Sequence, residues 1–444
     1  MDKYQAALDF LYSFTDYETQ HQPCSPVNYD LRRMYELLSR LGDPQLEYRT
    51  VHIAGTKGKG STSAMTASVL GVAGFRVALY TSPHLVDIRE RFSVDGHLIS
   101  RGELSELAAR LKPEVEAVNA ASNYGKLTTF EVLTALGFLH FAEKRADFAV
   151  IEVGLGGRLD ATNVIRPEAC AITTLGLDHT DVLGDTLDKI AAEKAGIVKT
   201  GVPVTSAQQP PEAAEVIAAA CANLGAPLVR VGHEITYASA GQRKGWQVLD
   251  IKGQLGKYHL EIPLLGRFQQ ENAAVAVGVL ESLVGRGFDI PVAAMTKGFA
   301  SVRWPGRFQQ IREKPDVIID GAHNPQAAGE LALALADFTT GRSCGMRILV
   351  IGASSDKNVS GVAYSLAALF DIVLAARSRH PRALPAEDLA LEFRRLGKEL
   401  RVTESVAGAL DEAVKLAGKD GLVCATGSLF VAGEALEWAR MTTE

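Results

Sequence analysis

A short apolar run, a glycine-rich turn and a hydroxyl-rich stretch follow one another in Arg49-Thr-Val-His-Ile-Ala-Gly-Thr-Lys-Gly-Lys-Gly-Ser-Thr-Ser-Ala-Met-Thr-Ala-Ser-Val-Leu70. Read as strand, turn and helix, it places the glycines Gly55, Gly58 and Gly60 where backbone N–H groups can turn toward an anion, with Lys59 adding a positive charge. A nucleoside triphosphate is the ligand such a loop takes. The match to G-x-x-x-x-G-K-[ST] is imperfect: Ile53 occupies the first glycine position and Gly60 the first hydroxyl position, leaving Ser61 or Thr62 to reach a metal ion. A plain glycine turn between a buried strand and a helix is the competing reading.

Other polar residues stand where parallel strands should end, the edge at which open α/β sheets bind ligands. Thr81-Ser82-Pro83-His84 follows one apolar run, so Ser82 is a candidate oxygen ligand for magnesium, although serine before proline is also ordinary turn chemistry. Glu152 lies in Phe148-Ala-Val-Ile-Glu-Val153, where a buried carboxylate calls for a hard cation or an ion-pair partner. The loop Gly154-Leu-Gly-Gly-Arg-Leu-Asp-Ala-Thr-Asn163 follows it. Asp178-His179-Thr180 puts an imidazole near the same edge, while Lys194, on a helix, reads by default as a solvated lysine. Asp320-Gly-Ala-His-Asn-Pro325 reads as a strand end leading into a helix, with Asp320 and His323 as site candidates or as turn and cap residues. Arg307 suits a phosphate or an interdomain salt bridge, and Asn272 could be only a helix residue.

The elements that must carry these residues alternate. Residues 1–48 read as largely helical, with apolar residues at helical spacing from Tyr29 to Leu41 before Gly42-Asp-Pro44. Strand candidates follow at Arg76–Tyr80, Phe148–Val153, Ala169–Thr173 and Val202–Ser206, and the pattern implies a parallel sheet with covered faces. Leu228–Pro263 reads as a small antiparallel patch, and Ser301-Val-Arg-Trp-Pro-Gly-Arg307 as a hinge. Pro315–Asp320, Met346–Ile351, Ile372–Ala376 and Gly421–Ala425 form a second strand series, with a helix at Gln326–Phe338. The expected architecture is two unequal α/β domains, 1–300 and 308–444, joined at 301–307 with a ligand cleft between them.

Composition narrows the class. At 444 residues, 47% hydrophobic and 22% charged, the chain reads as a soluble globular protein of more than one domain. A net charge of −6 argues against nucleic acid as the main partner. Five cysteines without a C-x-x-C pair suggest neither a disulfide framework nor a thiolate zinc site. With no secretory signal and no membrane-length apolar run, a cytoplasmic protein with no membrane partner is expected.

Taken together, Gly55-Thr-Lys-Gly-Lys-Gly-Ser61, Thr81-Ser-Pro-His84, Thr129-Phe-Glu131, Glu152-Val-Gly-Leu-Gly-Gly-Arg-Leu-Asp-Ala-Thr-Asn163, Gly176-Leu-Asp-His-Thr180, Glu193-Lys-Ala-Gly-Ile197, Trp304-Pro-Gly-Arg307 and Asp320-Gly-Ala-His-Asn-Pro325 resemble folylpolyglutamate synthases and dihydrofolate synthases of the Mur ligase superfamily. The match runs in order over roughly residues 30–430, which makes it more specific than any single motif. The resemblance implies an N-terminal three-layer P-loop domain, a smaller Rossmann-like C-terminal domain and an ATP site in the cleft. It implies a monomeric ATP-dependent ligase that adds L-glutamate to dihydropteroate, tetrahydrofolate or both through an acyl phosphate. Gly58, Lys59, Gly60 and Ser61 would cradle the triphosphate, and Asn272, Arg307 and Asp320 would contact ATP. Ser82, Glu152 and His179 would hold Mg²⁺, with a second ion and a monovalent cation such as K⁺ also implied. Thr128, Thr129, Phe130 and Glu131, with Leu159, Asp160 and Ala161, resemble pterin-binding segments. Lys194 resembles a lysine that becomes carbamylated, and His323 joins Lys59 and Lys194 as a catalytic candidate. Lys57 departs from the asparagine common in bacterial members. Glutamate-binding residues are weakly marked, with Arg377–Pro385 and Thr426–Phe430 as the segments to examine.

Three rival readings are weaker. A cell-wall Mur ligase would carry a nucleotide-sugar domain ahead of the phosphate loop, where 54 residues precede Gly55. A non-catalytic nucleotide-binding protein would not need the lysine and the metal-ligand set. A simple P-loop NTPase leaves the Asp320 motif unexplained.

Overall fold

The structure is a computed structural model that describes residues 2–16, 30–243, 245–342 and 344–443. Cys24 and Tyr29, and the helical expectation over 17–29, lie outside the described residues. The chain divides into two compact units, Met1–Pro263 with Gln269–Val302, and Leu264–Phe268 with Arg303–Glu444.

The first unit is built on eight strands: β1 (Arg49–Ala54), β2 (Val77–Tyr80), β3 (Phe92–Val94), β4 (His97–Leu98), β5 (Phe148–Glu152), β6 (Pro167–Ile172), β7 (Val204–Ser206) and β8 (Leu228–Arg230). Their order is β4-β3-β2-β5-β1-β6-β7-β8. Strands β2 through β8 along this order are parallel, and β3 and β4 add an antiparallel edge. Central β1 is flanked on both sides, and every residue after Arg49 is buried, the polar Thr50 and His52 included.

One helical layer belongs to a core containing Leu37, Leu107, Leu136, Phe138 and Tyr80. Each large side chain fully buried there contributes about 1.5–3 kcal/mol. A second core gathers Ile172, Ala191, Ala195, Ile197 and Ile217. The helix Leu31–Arg40 starts at Asp30, whose carboxylate accepts the Arg32 N–H, and buries Met34, Leu37 and Leu38 on one face. The helix Arg101–Ala121 opens on a reciprocal cap between Ser100 and Glu103.

The antiparallel patch is β9 (Thr236–Arg243), β10 (Trp246–Lys252) and β11 (Lys257–Ile262), in the order β11-β10-β9. The expectation placed its start too early. Leu228–Arg230 pairs in parallel with β7 and completes the main sheet instead, because a three-residue strand is too short to show its partner by periodicity.

The second unit has β12 (Gln309–Glu313), β13 (Asp316–Ile319), β14 (Arg347–Ile351), β15 (Ile372–Ala376), β16 (Glu399–Thr403) and β17 (Leu422–Thr426), in the order β12-β13-β17-β14-β15-β16. All neighbours are parallel except β12 with β13. Its core includes Ile318, Leu331, Leu349, Val373 and Phe393. No helix among the described residues is long and apolar enough to cross a membrane, and the described cysteines Cys170, Cys221, Cys344 and Cys424 are free thiols.

Candidate active site

In the first unit the loop after β1 is held from the segment that follows β6. Thr56 and Lys57 both donate their N–H to Thr174 O at 3.1 Å, and the helix Lys59–Val72 begins with Gly58 at φ +89°. Gly55 and Gly58 are required by close approach. A Cβ on Gly55 would lie 1.8 Å from Thr173 Oγ1, and one on Gly58 would lie 2.1 Å from Asn272 Oδ1. Asn272, for which the sequence left a plain helical role open, therefore stands directly over the phosphate loop.

Glu152 is the last residue of β5, pairs with Ile53, and is 5% exposed, so it closes the strand instead of interrupting it. Its Oε1 lies 4.0 Å from Lys59 Nζ and its Oε2 accepts the Ser82 N–H at 3.3 Å. Lys59, Glu152 and Ser82, from three separate strand ends, thus meet at one edge. An attraction of roughly 4 kcal/mol between charges 4 Å apart at an effective dielectric near 20 is comparable with the several kcal/mol that burial of a carboxylate costs. His179 is placed differently. It is at φ +50°, 43% exposed in its side chain, with Nε2 4.0 Å from Asp178 Oδ1. The other Asp178 oxygen accepts from Lys57 Nζ at 2.9 Å, which ties the phosphate loop to the His179 segment. No group of three His, Cys, Asp or Glu side chains forms a metal cluster among the described residues; the candidate set is one hydroxyl, one carboxylate and one imidazole.

Lys194 is not a surface lysine. It is 5% exposed, its Nζ donates to Gly55 O at 2.9 Å, and burial, with Lys59 next in weight, pushes its pKa down to about 7. Its residue type argues for solvent, whereas the helix face it shares with Ile190 and Ala191 is the buried one. The loop before it is packed tightly: a Cβ on Gly157 would come within 2.8 Å of Glu193 O, and Arg158 pairs with Glu193 at 2.8 Å.

The two candidate pterin segments are well ordered by their own side chains. Glu131 accepts from Thr128 N and Thr128 Oγ1 at 2.8 Å each and pairs with Arg33 Nε at 2.7 Å. Burial raises the Glu131 pKa and Arg33 opposes that rise. Glu131 and Thr128 therefore cap the helix Thr129–Glu143 rather than presenting free polar atoms. Thr129 Oγ1 donates to Phe14 O at 3.1 Å. Phe130 is the partly exposed member, and its ring lies where a Gly154 Cβ would be, 2.4 Å from Cζ. Asp160 likewise turns inward, accepting from Leu155 N at 2.8 Å and from Thr162, and burial raises its pKa. Leu159 is partly exposed and Ala161 buried. His52, in mid-β1, meets Thr162 Oγ1 at 2.9 Å and is held neutral by burial, its pKa near 3.

In the second unit Asp320 follows β13. Its carboxylate accepts the N–H groups of Phe308 and Ala322, each at 2.8 Å, and burial raises its pKa while Arg307 opposes that. Arg307 donates to Gly306 O at 3.1 Å, and His323 Nδ1 is 2.9 Å from Gly321 O. Asn324 caps the helix Pro325–Thr339. The segments 377–385 and 426–430 are brought together, with the His380 ring stacked on Phe430 at 3.6 Å between centroids. Asp356 pairs with Lys357 at 3.0 Å and with Arg382 at 3.7 Å beside them. Arg382 lies in the 377–385 segment expected from the sequence, whereas Asp356 and Lys357 were not singled out; the signal was their place in the loop after β14.

Residues 53–280 match the Mur ligase middle domain, and residues 306–429 the Mur ligase glutamate ligase domain. The chain is 37% identical over 363 residues to the dihydrofolate synthase/folylpolyglutamate synthase of Bacillus subtilis, covering 81% of this chain and 83% of that one. It is 38% identical over 417 residues to a probable bifunctional folylpolyglutamate synthase/dihydropteroate synthase of Halobacterium salinarum, covering 92% of this chain and 49% of that protein, so it spans about half that relative's length. In structure it is similar to the folylpolyglutamate synthase of Mycobacterium tuberculosis complexed with ADP, with a TM-score of 0.89 and 33% identity over 98% of each chain.

Proposed function

The chain belongs to the folylpolyglutamate synthase/dihydrofolate synthase family of Mur ligases, and from that premise we propose that it is an ATP-dependent ligase joining L-glutamate to a pteroate- or folate-type carboxylate. The observation that carries the reading is the meeting of Lys59, Ser82 and Glu152 at the end of three parallel strands, directly beside the Gly58 turn.

A carboxylate resists attack by an amine until one oxygen becomes a leaving group. In the proposed reaction a carboxylate oxygen of the pterin substrate takes the γ-phosphoryl of ATP, releasing ADP. The glutamate amine then adds to the acyl phosphate carbon and phosphate departs. Residues 58–61 hold the triphosphate, and Lys59 stabilises charge on the transferring phosphoryl group. Hard oxygen donors at Ser82 and Glu152, with His179, suit Mg²⁺, which would supply charge neutralisation at the phosphates. Asn272, Arg307 and Asp320 are proposed as ATP contacts, Asp320 through the loop that it orders around Phe308.

Lys194, whose pKa is pushed down to about 7 so that a large share is free amine at pH 7, is suited to add to CO₂ and lose a proton to give a carbamate, whose oxygens would favour a second Mg²⁺. A monovalent cation such as K⁺ remains part of this proposal. The partly exposed Phe130 and Leu159 are proposed to face the pterin, with Thr128, Glu131 and Asp160 holding their segments in shape. Glutamate is proposed to bind at the cluster of Lys357, Arg382, His380 and Phe430, where the two cations that pair with Asp356 could also meet its carboxylates. His323 is proposed to act near the transferring group.

The chain is proposed to work as a cytoplasmic monomer on small molecules. Purified protein with ATP, Mg²⁺ and L-glutamate should release ADP only when dihydropteroate or tetrahydrofolate is added. Release with both acceptors supports a bifunctional enzyme, release with tetrahydrofolate alone a monofunctional one, and release with neither overturns the proposal.

A further inference from the structure

Gln269 belongs to none of the motifs above. It is fully buried in the first turn of the helix Arg267–Gly285. Its Nε2–H donates to Ser61 Oγ at 3.2 Å, and its Oε1 accepts from Asn272 Nδ2 at 2.9 Å. Asn272 Oδ1 in turn occupies the space over Gly58. A primary amide is the side chain that donates at one end and accepts at the other. Because the Ser61 oxygen accepts this N–H, its own proton is directed elsewhere, and because Asn272 gives its N–H to Gln269, its oxygen is the end turned to the loop.

We propose that Gln269 is a positioning residue that sets the direction of hydrogen bonding at the phosphate loop, holding Ser61 as a donor to the nucleotide phosphates and Asn272 in one amide orientation. The proposal rests on the triphosphate lying at residues 58–61. Gln269→Glu keeps the shape but, once ionised, only accepts: it still takes the Asn272 N–H and now captures the Ser61 proton.

The test is steady-state ADP release with varied ATP and varied glutamate, for wild type, Gln269→Glu, Ser61→Ala and the double variant, with melting temperatures recorded. Gln269→Glu should raise the KM for ATP roughly tenfold or more, the scale of one hydrogen bond to a charged group, with little change in the KM for glutamate. The defect should deepen as pH rises, since a protonated carboxyl can donate as the amide does. In the double variant it should not exceed that of Ser61→Ala alone, as expected for residues acting through one contact. Gln269→Met, which neither donates nor takes the proton, should be the milder variant and carries the test if the glutamate variant does not fold. An unchanged ATP KM, additive losses in the double variant, or a methionine variant as impaired as the glutamate one would each overturn the proposal. Lys59→Ala separates the two levels: if it leaves ATP use intact, the loop is not the triphosphate site, whereas its failure beside a normal Gln269→Glu removes only the role of Gln269.

Discussion

Glu152 and Asp320 are both buried carboxylates at the C-terminal ends of parallel strands, yet their nearest partners differ. Glu152 faces a lysine ammonium at 4.0 Å and one N–H at 3.3 Å. Asp320 has one backbone N–H on each oxygen at 2.8 Å, with the Arg307 charge acting on it as well. The first arrangement sets charge against charge, and a ligand's phosphates and cation can enter that balance. The second uses a carboxylate to fold a loop, which fixes the course of the chain from Gly306 to Ala322. Strand-end position alone therefore does not tell a reacting edge from an ordering one; the kind of partner does.

The strongest way to break this contrast is Lys59→Ala. Glutamate-dependent ADP release should fall by roughly 10²–10³-fold, as when a preorganised charge-stabilising donor is removed. Undiminished turnover would remove the first unit's edge from the chemistry. Next is Glu152→Gln, which should raise the Mg²⁺ concentration for half-maximal activity by about 10-fold or more, while Asp320→Asn leaves that concentration unchanged.

Asp320→Asn should act on stability instead. Its amide sets an N–H against the N–H of Phe308 or Ala322, costing about 1–3 kcal/mol, read as a lower melting temperature. A larger thermal loss in Glu152→Gln would invert the comparison. The smallest effect concerns Lys194, whose native pKa lies near 7, below its unfolded value. Between pH 7 and the ordinary lysine range the unfolded chain holds a proton that the native lysine has lost, so stability rises with pH in that window and this contribution is absent below it. Denaturation at pH 7, 8 and 9 should show that slope in wild type and a flatter one in Lys194→Met.

Much of this was legible in the residues. The strand runs were long, apolar and bounded, so β1, β5, β6, β14, β15 and β17 could be placed to within two or three residues. Short edge strands were not: β3 and β4 have three and two residues, too few for a period to show. At the site, the glycine-rich loop revealed Lys59, and charge at the end of an apolar run revealed Glu152 and Asp320. It did not reveal Lys194's burial or the role of Gln269, since both depend on which helix face meets a loop distant in sequence. The inward turn of Thr128, Glu131 and Asp160 comes from partners two to five residues away, and only the Arg33 partner of Glu131 is distant in sequence.

The closeness of Asn272 to Gly58 also bears on protein engineering. A chimera that imports a relative's phosphate loop inherits a steric demand from a helix encoded far downstream, so a loop with a side chain at position 58 must both adopt the left-handed backbone there and displace the resident asparagine. Grafts in this family should carry the loop and the 269–272 helical turn together as one cassette.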